Sequence, residues 1–309
     1  MLTLFIPGLE ELADAAAPRL PSLELLLARG RTRPAAETSC WAALARAAGG
    51  DLERWPVGPV SALAELGAAE GGWLRLEPLG MDAEQRGAFR LRASALEIEA
   101  DEATALAAAF NATFAADGMR LAVPSRRRWY LQWQDDDGGP WRGFPGPALA
   151  PEIGDRPAPP ERALRRLMSE VEMLFFAHPV NEARRERGRP LIAGLHPWGG
   201  GRLDGTIAES GPTAEEEPYL AGLRRLGVLP PAAPDVVSGD GLCWPVAPEA
   251  LSPEALEEVE QDVLGPLMSA LRRGAVRRLR LLTDRRDHRV ATSDLFRFWR
   301  TPRHWAGAC

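Results

Sequence analysis

The sequence predicts an α/β fold, in which strands and helices alternate along the chain. A short apolar run over residues 2–6 ends at Pro7-Gly8, as expected of a buried strand that leads into a loop. Two helix-like segments follow, and from about Trp73 apolar and charged residues alternate with the period of half-exposed strands. The order strand, loop, helix, loop, helix is a common opening of α/β domains.

The two N-terminal helices have recognisable ends. The segment "LPSLELLLARG" places Leu23, Leu26 and Leu27 on one helical face and ends at Gly30, a residue suited to a helix C-terminus. The next segment, "SCWAALARAAGG", ends at Gly49-Gly50.

The central part of the chain predicts a β-β-α-β-β block between about Trp73 and Gln134. The helix of this block ends at Gly118, and a loop rich in Gly, Pro and Asp follows the last strand. A long helix over "ERALRRLMSEVEMLFFAHPV" comes next, with an apolar stripe that reaches His178.

The C-terminal part predicts a helix, a strand and a second helix. The first helix has Ser252 as its N-cap and Pro253 in its first position, and it ends at Gly274. The segment "AVRRLRLL" alternates as a strand exposed on one face, and "ATSDLFRFWR" predicts the last helix. The apolar residues of that helix, at helical spacing, are Leu295, Phe298 and Trp299.

The composition excludes several functional classes. The chain has 309 residues, 45% hydrophobic and 26% charged, and its net charge of -6 leaves no overall basic footprint for nucleic acid. All of its basic residues are arginine, and its three cysteines, Cys40, Cys243 and Cys309, are odd in number and far apart. This cysteine pattern argues against a disulfide framework or structural zinc. With no apolar run near membrane length, we expect a cytoplasmic protein without membrane contact.

The most distinctive stretch is "HPVNEARRERGRPLIAGLHPWGGG", residues 178–201. Its His-Pro-Val-Asn, Arg and Gly-Arg-Pro sequence before a Trp-Gly-Gly-Gly run resembles the archaeal-type, cofactor-independent phosphoglycerate mutases of the alkaline phosphatase superfamily. The "LPSLELLLARG" helix and the "TSCWAALARAAGGD" segment are similar to parts of that family in the same order. A bacterial group labelled RpfE-type regulatory proteins is closer, because it shares the "WGGG" motif and a "DLFRFWR"-like tail.

The resemblance implies an alkaline-phosphatase-like sheet domain, made of residues 1–72 and 191–309, with a smaller α+β domain inserted over residues 73–190. It implies that Ser39 is the relic of a nucleophile. A two-metal phosphomutase also needs carboxylates and imidazoles around that serine. Pro7 and Cys40 stand where the family has aspartates, and Asp284, Asp287 and His288 have the wrong spacing for the late ligands.

Several residues have a structural as well as a functional interpretation. Ser39 is more often an N-cap than a nucleophile, and Cys40 is more often a buried thiol than a reactive one. A histidine on an apolar helical stripe, such as His178, is more often a hydrogen-bonded structural residue than a ligand of a metal ion. Arg126, Arg127 and Arg128 could bind acidic groups, but a solvated strand end is the more frequent explanation.

We predict one anion pocket, because an arginine and inward-facing glycine amides can hold a phosphate or carboxylate. A tight turn is the structural alternative. The pocket residues are Asn181, Arg184, Trp198, Gly199, Gly200, Gly201 and Arg202.

Two functions remain open. The first is a non-catalytic regulatory or ligand-sensing protein, without metal cofactors, that binds a small phosphorylated or carboxylate ligand and neither nucleic acid nor membrane. The second is a metal-dependent phosphoglycerate mutase or phosphatase with rearranged ligands for two divalent ions, manganese or zinc. The first predicts no carboxylate–imidazole cluster around Ser39, whereas the second requires at least four such ligands there.

Overall fold

The structure is a computed structural model. It describes residues 1–13, 17–36, 39–67, 70–81, 90–91, 96–134, 162–203, 217–229, 241–245 and 251–307. The chain forms two compact units. The first comprises Met1–Gly49, Glu215–Leu220 and Gly227–Cys309, and the second comprises Gly50–Ala214 and Ala221–Leu226. Each unit has its own sheet with helices packed on it, which confirms the predicted α/β class.

The strands and helices are numbered in chain order. The strands are β1 (Leu2–Phe5), β2 (Arg31–Pro34), β3 (Gly72–Met81), β4 (Arg90–Leu91), β5 (Met119–Ala122), β6 (Trp129–Trp133), β7 (Leu191–Arg202), β8 (Gly241–Cys243), β9 (Arg278–Leu282) and β10 (Arg286–Ala291). The helices are α1 (Pro21–Arg29), α2 (Cys40–Ala47), α3 (Val57–Leu66), α4 (Ala100–Phe114), α5 (Arg162–Phe176), α6 (Pro179–Glu186), α7 (Pro218–Arg225), α8 (Pro253–Val259) and α9 (Gly265–Arg273).

The sheet of the first unit has the order β2-β10-β9-β1-β8. Strand β1 is parallel to both β8 and β9, while β10 is antiparallel to β9 and to β2. Four of these strands, β1, β2, β8 and β9, therefore run in the same direction. Their carboxyl ends lie at one edge of the sheet, which we call the carboxyl edge.

One face of this sheet carries the main apolar core of the first unit. Leu2, Leu4 and Ile6 of the β1 segment pack with leucines of α1 and α9. The helix predicted between Ser252 and Gly274 is confirmed, with Ser252 accepting from the Ala255 amide and with Gly274 at φ 76. A short π-helical turn, Glu260–Leu264, joins α8 to α9.

The sheet of the second unit has the order β4-β3-β6-β5. Strands β6 and β4 pair with residues 72–76 and 80–81 of β3, and β7 pairs along the opposite side of β3. One face packs against α4 and α5 in a large apolar core. Helix α3 packs against β3 and β7. The predicted β-β-α-β-β order between residues 73 and 134 is present, although the second strand, expected over residues 89–100, is described only as Arg90–Leu91 and residues 96–99 are not strand. Helix α3 and strand β7 were not predicted.

The boundaries of the two units differ from the domain boundaries expected from the sequence, which lay at residues 72 and 190. The reason is β7, which pairs antiparallel with β3 from Arg202 opposite Gly72 to Leu191 opposite Met81. This pairing keeps residues 191–202 in the second unit, and α3 belongs there as well because it packs on the same two strands. The second unit consequently takes in more of the chain than the small insertion that we expected.

Three local predictions need correction. The helix expected to run through His178 ends at Phe176, because His178 is extended at φ -77 and ψ 142 and starts α6 instead. The glycine run is part of strand β7 rather than a tight turn. The segment expected as a final helix contains only a 3₁₀ turn over Thr292–Phe296.

Within the described residues, no helix has both the length and the apolar character needed to cross a bilayer.

Candidate functional site

Short segments from four separate parts of the chain meet at the carboxyl edge of the first sheet. In open α/β sheets, ligands bind outside the carboxyl ends of the strands. We call this group of residues the carboxyl-edge site. Its members are Gly8, Glu10, Ser39, Cys40, Trp244, Thr283 and Asp284.

Asp284 lies at the centre of this site. Its Oδ2 accepts a hydrogen bond of 2.7 Å from the Gly8 amide, and its carboxyl group also interacts with the amide and thiol of Cys40. Burial raises the pKa of Asp284, and the Glu10 carboxylate raises it further, while the bonds from Gly8 and Cys40 act in the opposite direction. Asp284 therefore joins the loop after β1 to the start of α2.

Glu10 is the second carboxylate of the site. The Thr283 hydroxyl, which follows β9 directly, donates a hydrogen bond to Glu10 Oε1. The carboxylates of Glu10 and Asp284 are close enough for each to influence the same thiol, that of Cys40. The site is consequently acidic, which disfavours a phosphate ligand at this edge.

Cys40 is fully buried, and its Sγ lies 3.7 Å from the Leu282 carbonyl oxygen. Burial raises the pKa of the Cys40 thiol well above its ordinary value, and the negative charges of Asp284 and Glu10 raise it further. A thiol in these surroundings stays protonated near neutral pH, and a protonated thiol is a poor nucleophile. The structural interpretation of Cys40 is therefore the one that the geometry favours.

Ser39 is the N-cap of α2, and its Oγ accepts a hydrogen bond of 3.2 Å from the Ala42 amide. This is the ordinary role of serine at a helix start. Among the groups of the carboxyl-edge site, only the carboxylates of Glu10 and Asp284 could remove a proton from a nearby hydroxyl, and both already accept hydrogen bonds from other groups.

An aromatic cluster connects Phe5 of β1 with Trp41 of α2. The Trp244 ring stacks on Phe5 with centroids 5.6 Å apart, and it lies 4.7 Å from Trp41. Trp41 also makes an edge contact with Tyr219 at 5.7 Å. The buried Trp244 Nε1 has no hydrogen-bond partner among the described residues.

The predicted anion pocket is not brought together in the structure. Asn181 is fully buried, and its side-chain amide group forms hydrogen bonds with backbone groups. Its Nδ2 donates to the carbonyl oxygens of Phe175 and Ile192, each at 2.8 Å, and its Oδ1 accepts from the Ile192 amide at 2.9 Å. These bonds fasten α6 to the end of α5 and to β7.

Arg184 is also fully buried and bound to protein oxygens. It forms an ion pair with Glu102, with Nε–Oε1 and Nη2–Oε2 distances of 3.0 and 2.9 Å. Its guanidinium donates further bonds to the carbonyl oxygens of Leu96 and Pro190 at 2.8 and 2.7 Å. Its charge is thus neutralised by Glu102 inside the second unit.

The remaining pocket residues lie further along β7. The Trp198 ring packs under the Arg75 guanidinium at 4.5 Å, and Arg202 pairs with Gly72 across the sheet. A Cβ on Gly199 would lie 2.9 Å from Val57, and one on Gly201 would lie 2.5 Å from Pro56, so these glycines allow close packing near the start of α3. Because a strand rises about 3.3 Å per residue, Trp198 is roughly 20 Å from Ile192, where Asn181 binds.

The other candidates of the second unit also have structural partners. His178 Nδ1 accepts from the Val180 amide at 3.2 Å, and burial lowers the pKa of this histidine. Arg128 and the buried Tyr130 both bind Glu65 of α3, at 2.6 and 2.5 Å. Arg126 forms a long, exposed ion pair with Glu99 at 3.7 Å.

The late residues considered as metal ligands point in different directions. Asp287 is held by Arg280 and Arg289, at 3.1 and 2.6 Å. His288 follows it directly on β10 and therefore faces the opposite side of the sheet, where its Nδ1 is 2.8 Å from Thr32 Oγ1. The residues that the structure describes contain no group of three or more His, Cys, Asp or Glu suited to a metal ion.

Sequence reasoning missed Trp244 and Glu10, and it considered Asp284 only as a displaced metal ligand. The signal that identifies them is positional, because each follows the end of a short strand. The sequence alone does not show which strands are parallel neighbours in the sheet.

Comparison with known proteins gives distant structural likenesses, among them two solved structures. No protein-family profile and no curated protein matches the chain. A solved structure of a cofactor-independent phosphoglycerate mutase from Thermoplasma acidophilum is similar at 17% identity, covers 99% of this chain and 94% of its own, and has a TM-score of 0.38. The PH0037 protein of Pyrococcus horikoshii is similar at 13% identity, with 94% and 87% covered and a TM-score of 0.42.

Proposed function

We propose that this protein is a non-catalytic, ligand-sensing or regulatory relative of the cofactor-independent phosphoglycerate mutases, of the RpfE-type bacterial group. The observation that carries this proposal is the environment of Asp284. Its carboxylate accepts from the Gly8 amide at 2.7 Å and interacts with the thiol and amide of Cys40. It is engaged by the protein at the place where a phosphomutase would need metal ligands.

The residues of the carboxyl-edge site do not fit a two-metal centre. Such a centre needs several carboxylates and imidazoles with lone pairs directed at the ions. Here Pro7 and Cys40 stand where the resemblance requires aspartates, and the thiol of Cys40 is held neutral by burial. No step of a phosphoryl transfer follows from these groups, and the Ser39 hydroxyl caps a helix.

The same groups support binding of a small ligand. Trp244 offers an indole donor that has no partner among the described residues, and the aromatic cluster offers a flat apolar wall. The carboxylates of Glu10 and Asp284 have lone pairs beyond those that accept from Thr283 and Gly8, and these can accept from a ligand. We therefore favour a ligand with an amine or hydroxyl donor and a carbonyl-type acceptor over a bare phosphate. The phosphorylated or carboxylate ligand expected from the sequence needs cationic groups, and Arg280, whose charge acts on the Cys40 thiol, is paired with Asp287.

Metal content and mutase activity test the non-catalytic part of the proposal. Purified protein is stripped with chelator, dialysed against manganese or zinc, and analysed by mass spectrometry and by assay with phosphoglycerates. A metal-dependent phosphoglycerate mutase is the positive control. We expect neither stoichiometric metal nor turnover. Two equivalents of metal together with activity that Ser39→Ala abolishes would establish the metal-dependent alternative.

A thermal-shift screen of amines, hydroxy compounds, phosphoglycerates and inorganic phosphate tests the binding part. Trp244→Phe keeps an aromatic ring but removes the Nε1 donor, and we expect it to weaken any hit by roughly tenfold. Trp299→Phe, at an exposed site in the same unit, is the matched control. If every hit stabilises Trp244→Phe as well as the native protein, the ligand binds elsewhere.

A further inference from the structure

Three large aromatic side chains protrude from the segment after β10. Phe296, Phe298 and Trp299 are 75%, 77% and 67% exposed, although they are close together in the chain. We call them the aromatic loop. Scattered single apolar residues are normal on protein surfaces, whereas a contiguous group of exposed rings marks an interaction site.

The backbone of the aromatic loop is fixed by arginine side chains that turn inward. Arg29 Nη1 donates to the Leu295 carbonyl oxygen, and Arg297 Nη1 donates to the Arg29 carbonyl oxygen at 3.0 Å. Arg297 also pairs with Asp294 at 2.7 Å, and Arg300 Nη1 reaches the Gly30 carbonyl oxygen at 3.0 Å. Because the arginines face the protein, the rings between them face outward.

The surroundings of the loop are basic in a protein whose net charge is -6. Residues 277–303 contain nine arginines and three aspartates. Strand β2 begins directly after Gly30, forms an edge of the first sheet, and exposes Arg31 and Arg33. The aromatic loop therefore lies beside cationic side chains that favour an anionic partner.

We propose that the aromatic loop, together with Arg31 and Arg33, binds the surface of an anionic lipid bilayer. Aromatic rings are favourable at the level of lipid headgroups, and basic residues are attracted to anionic lipids. The sequence predicted no membrane contact because the chain has no spanning segment, but a surface contact requires none.

Two other partners fit less well. A second copy of this chain would place the arginines of one β2 edge against the same arginines of the other, and like charges repel. An acidic protein would satisfy the charge but has no general requirement for three neighbouring rings, whereas the headgroup region of a bilayer favours aromatic rings as such. Rings that protrude from a fixed backbone suit insertion between headgroups.

Vesicle co-sedimentation tests the proposal with the full chain. We expect binding to vesicles with phosphatidylglycerol, little binding to pure phosphatidylcholine, and a decrease as salt is raised. The triple variant Phe296→Ser/Phe298→Ser/Trp299→Ser should lose at least about tenfold in partitioning. Its circular dichroism and urea midpoint should match the native protein, because these rings are not part of the core.

Matched variants separate the roles of rings, charge and general surface hydrophobicity. Met173→Ser/Phe176→Ser removes two side chains of the second unit that are 66% and 65% exposed, and it should bind vesicles like the native protein. Arg31→Gln/Arg33→Gln should weaken binding to anionic vesicles. If the triple variant and the Met173/Phe176 variant bind equally, the aromatic loop is not the membrane contact.

Bromine-labelled phosphatidylglycerol reports directly on insertion, because bromine quenches the fluorescence of a tryptophan that contacts the acyl chains. Trp299→Phe should still bind vesicles but should lose the quenched part of the signal. Absence of binding to anionic vesicles at low salt would overturn the proposal. Binding to poly-glutamate instead, lost in the triple variant, would overturn it in favour of an acidic protein partner.

Discussion

Two regions of the molecule show opposite relations between sequence and structure. Residues 178–202 have the most distinctive sequence, yet Asn181 and Arg184 are fully buried and bound to oxygens of their own unit. The carboxyl-edge site draws on residues that look ordinary along the chain, yet it gathers Glu10, Trp244 and Asp284 at the place where α/β sheets bind ligands. A polar motif can therefore be needed for folding rather than for binding.

The largest expected effect concerns Arg184. Removing it leaves the Glu102 carboxylate and three backbone carbonyls without their Arg184 donor. We expect Arg184→Ala to reduce the free energy of unfolding of the second unit by about 3–5 kcal/mol, measured by urea denaturation. Arg185→Ala, one residue away on the exposed side of α6, is the control. A loss below about 1 kcal/mol would make Arg184 a candidate for ligand binding again.

The second effect concerns His288, which faces Thr32 in the first unit. Burial lowers the pKa of His288 to about 4, with a further lowering by Arg286 and an opposing effect of Asp287. The unfolded chain, with a histidine pKa near 6.5, binds more protons between pH 6.5 and 4, so the folded state loses stability as the pH falls through this window.

The expected loss for His288 is about 3 kcal/mol across the whole window. Urea denaturation at pH 7.5, 6.5 and 4.5, compared with His288→Leu, should show a smaller pH dependence in the variant. His178 has a lowered pKa as well and acts in the same direction in the other unit, so His178→Leu separates the two contributions. An unchanged pH dependence in His288→Leu would contradict the assignment.

Asn181 should have the next largest effect. Its replacement by Ala removes two donated hydrogen bonds and one accepted bond, all buried. We expect a loss of about 2–3 kcal/mol in the stability of the second unit. Asn111→Ala, which removes two bonds to Leu121 in the same unit, provides a comparison of similar chemistry. An Asn181→Ala protein that is stable but has lost a ligand would favour the anion pocket predicted from the sequence.

The smallest effect tests Ser39 against Ser252. Both hydroxyls cap a helix, with N–O distances of 3.2 and 3.1 Å to the amides of Ala42 and Ala255. Ser39→Ala and Ser252→Ala should each cost about 1 kcal/mol in urea denaturation. A change in ligand binding with Ser39→Ala, absent from Ser252→Ala, would give Ser39 a role beyond the cap.

The sequence by itself determined the features that depend on near neighbours. The N-cap at Ser252 and the end at Gly274 follow from backbone geometry within a few residues, and so do strands β1 and β9. Where a local pattern was wrong, as in the final helix, inward bonds from Arg297 and Arg300 to residues 29 and 30 hold the backbone in another conformation.

Only the tertiary structure decided which residues meet. Strand β7 joins β3 in the second sheet, Arg184 binds Glu102 and Leu96, and Asp284 binds Gly8, although these partners are far apart in the chain. Periodicity and caps carry no information on such pairing, because each strand offers the same backbone donors and acceptors to any neighbour. The carboxyl-edge site exists because β1, β2, β8 and β9 run in the same direction, and this direction is a property of the assembled sheet.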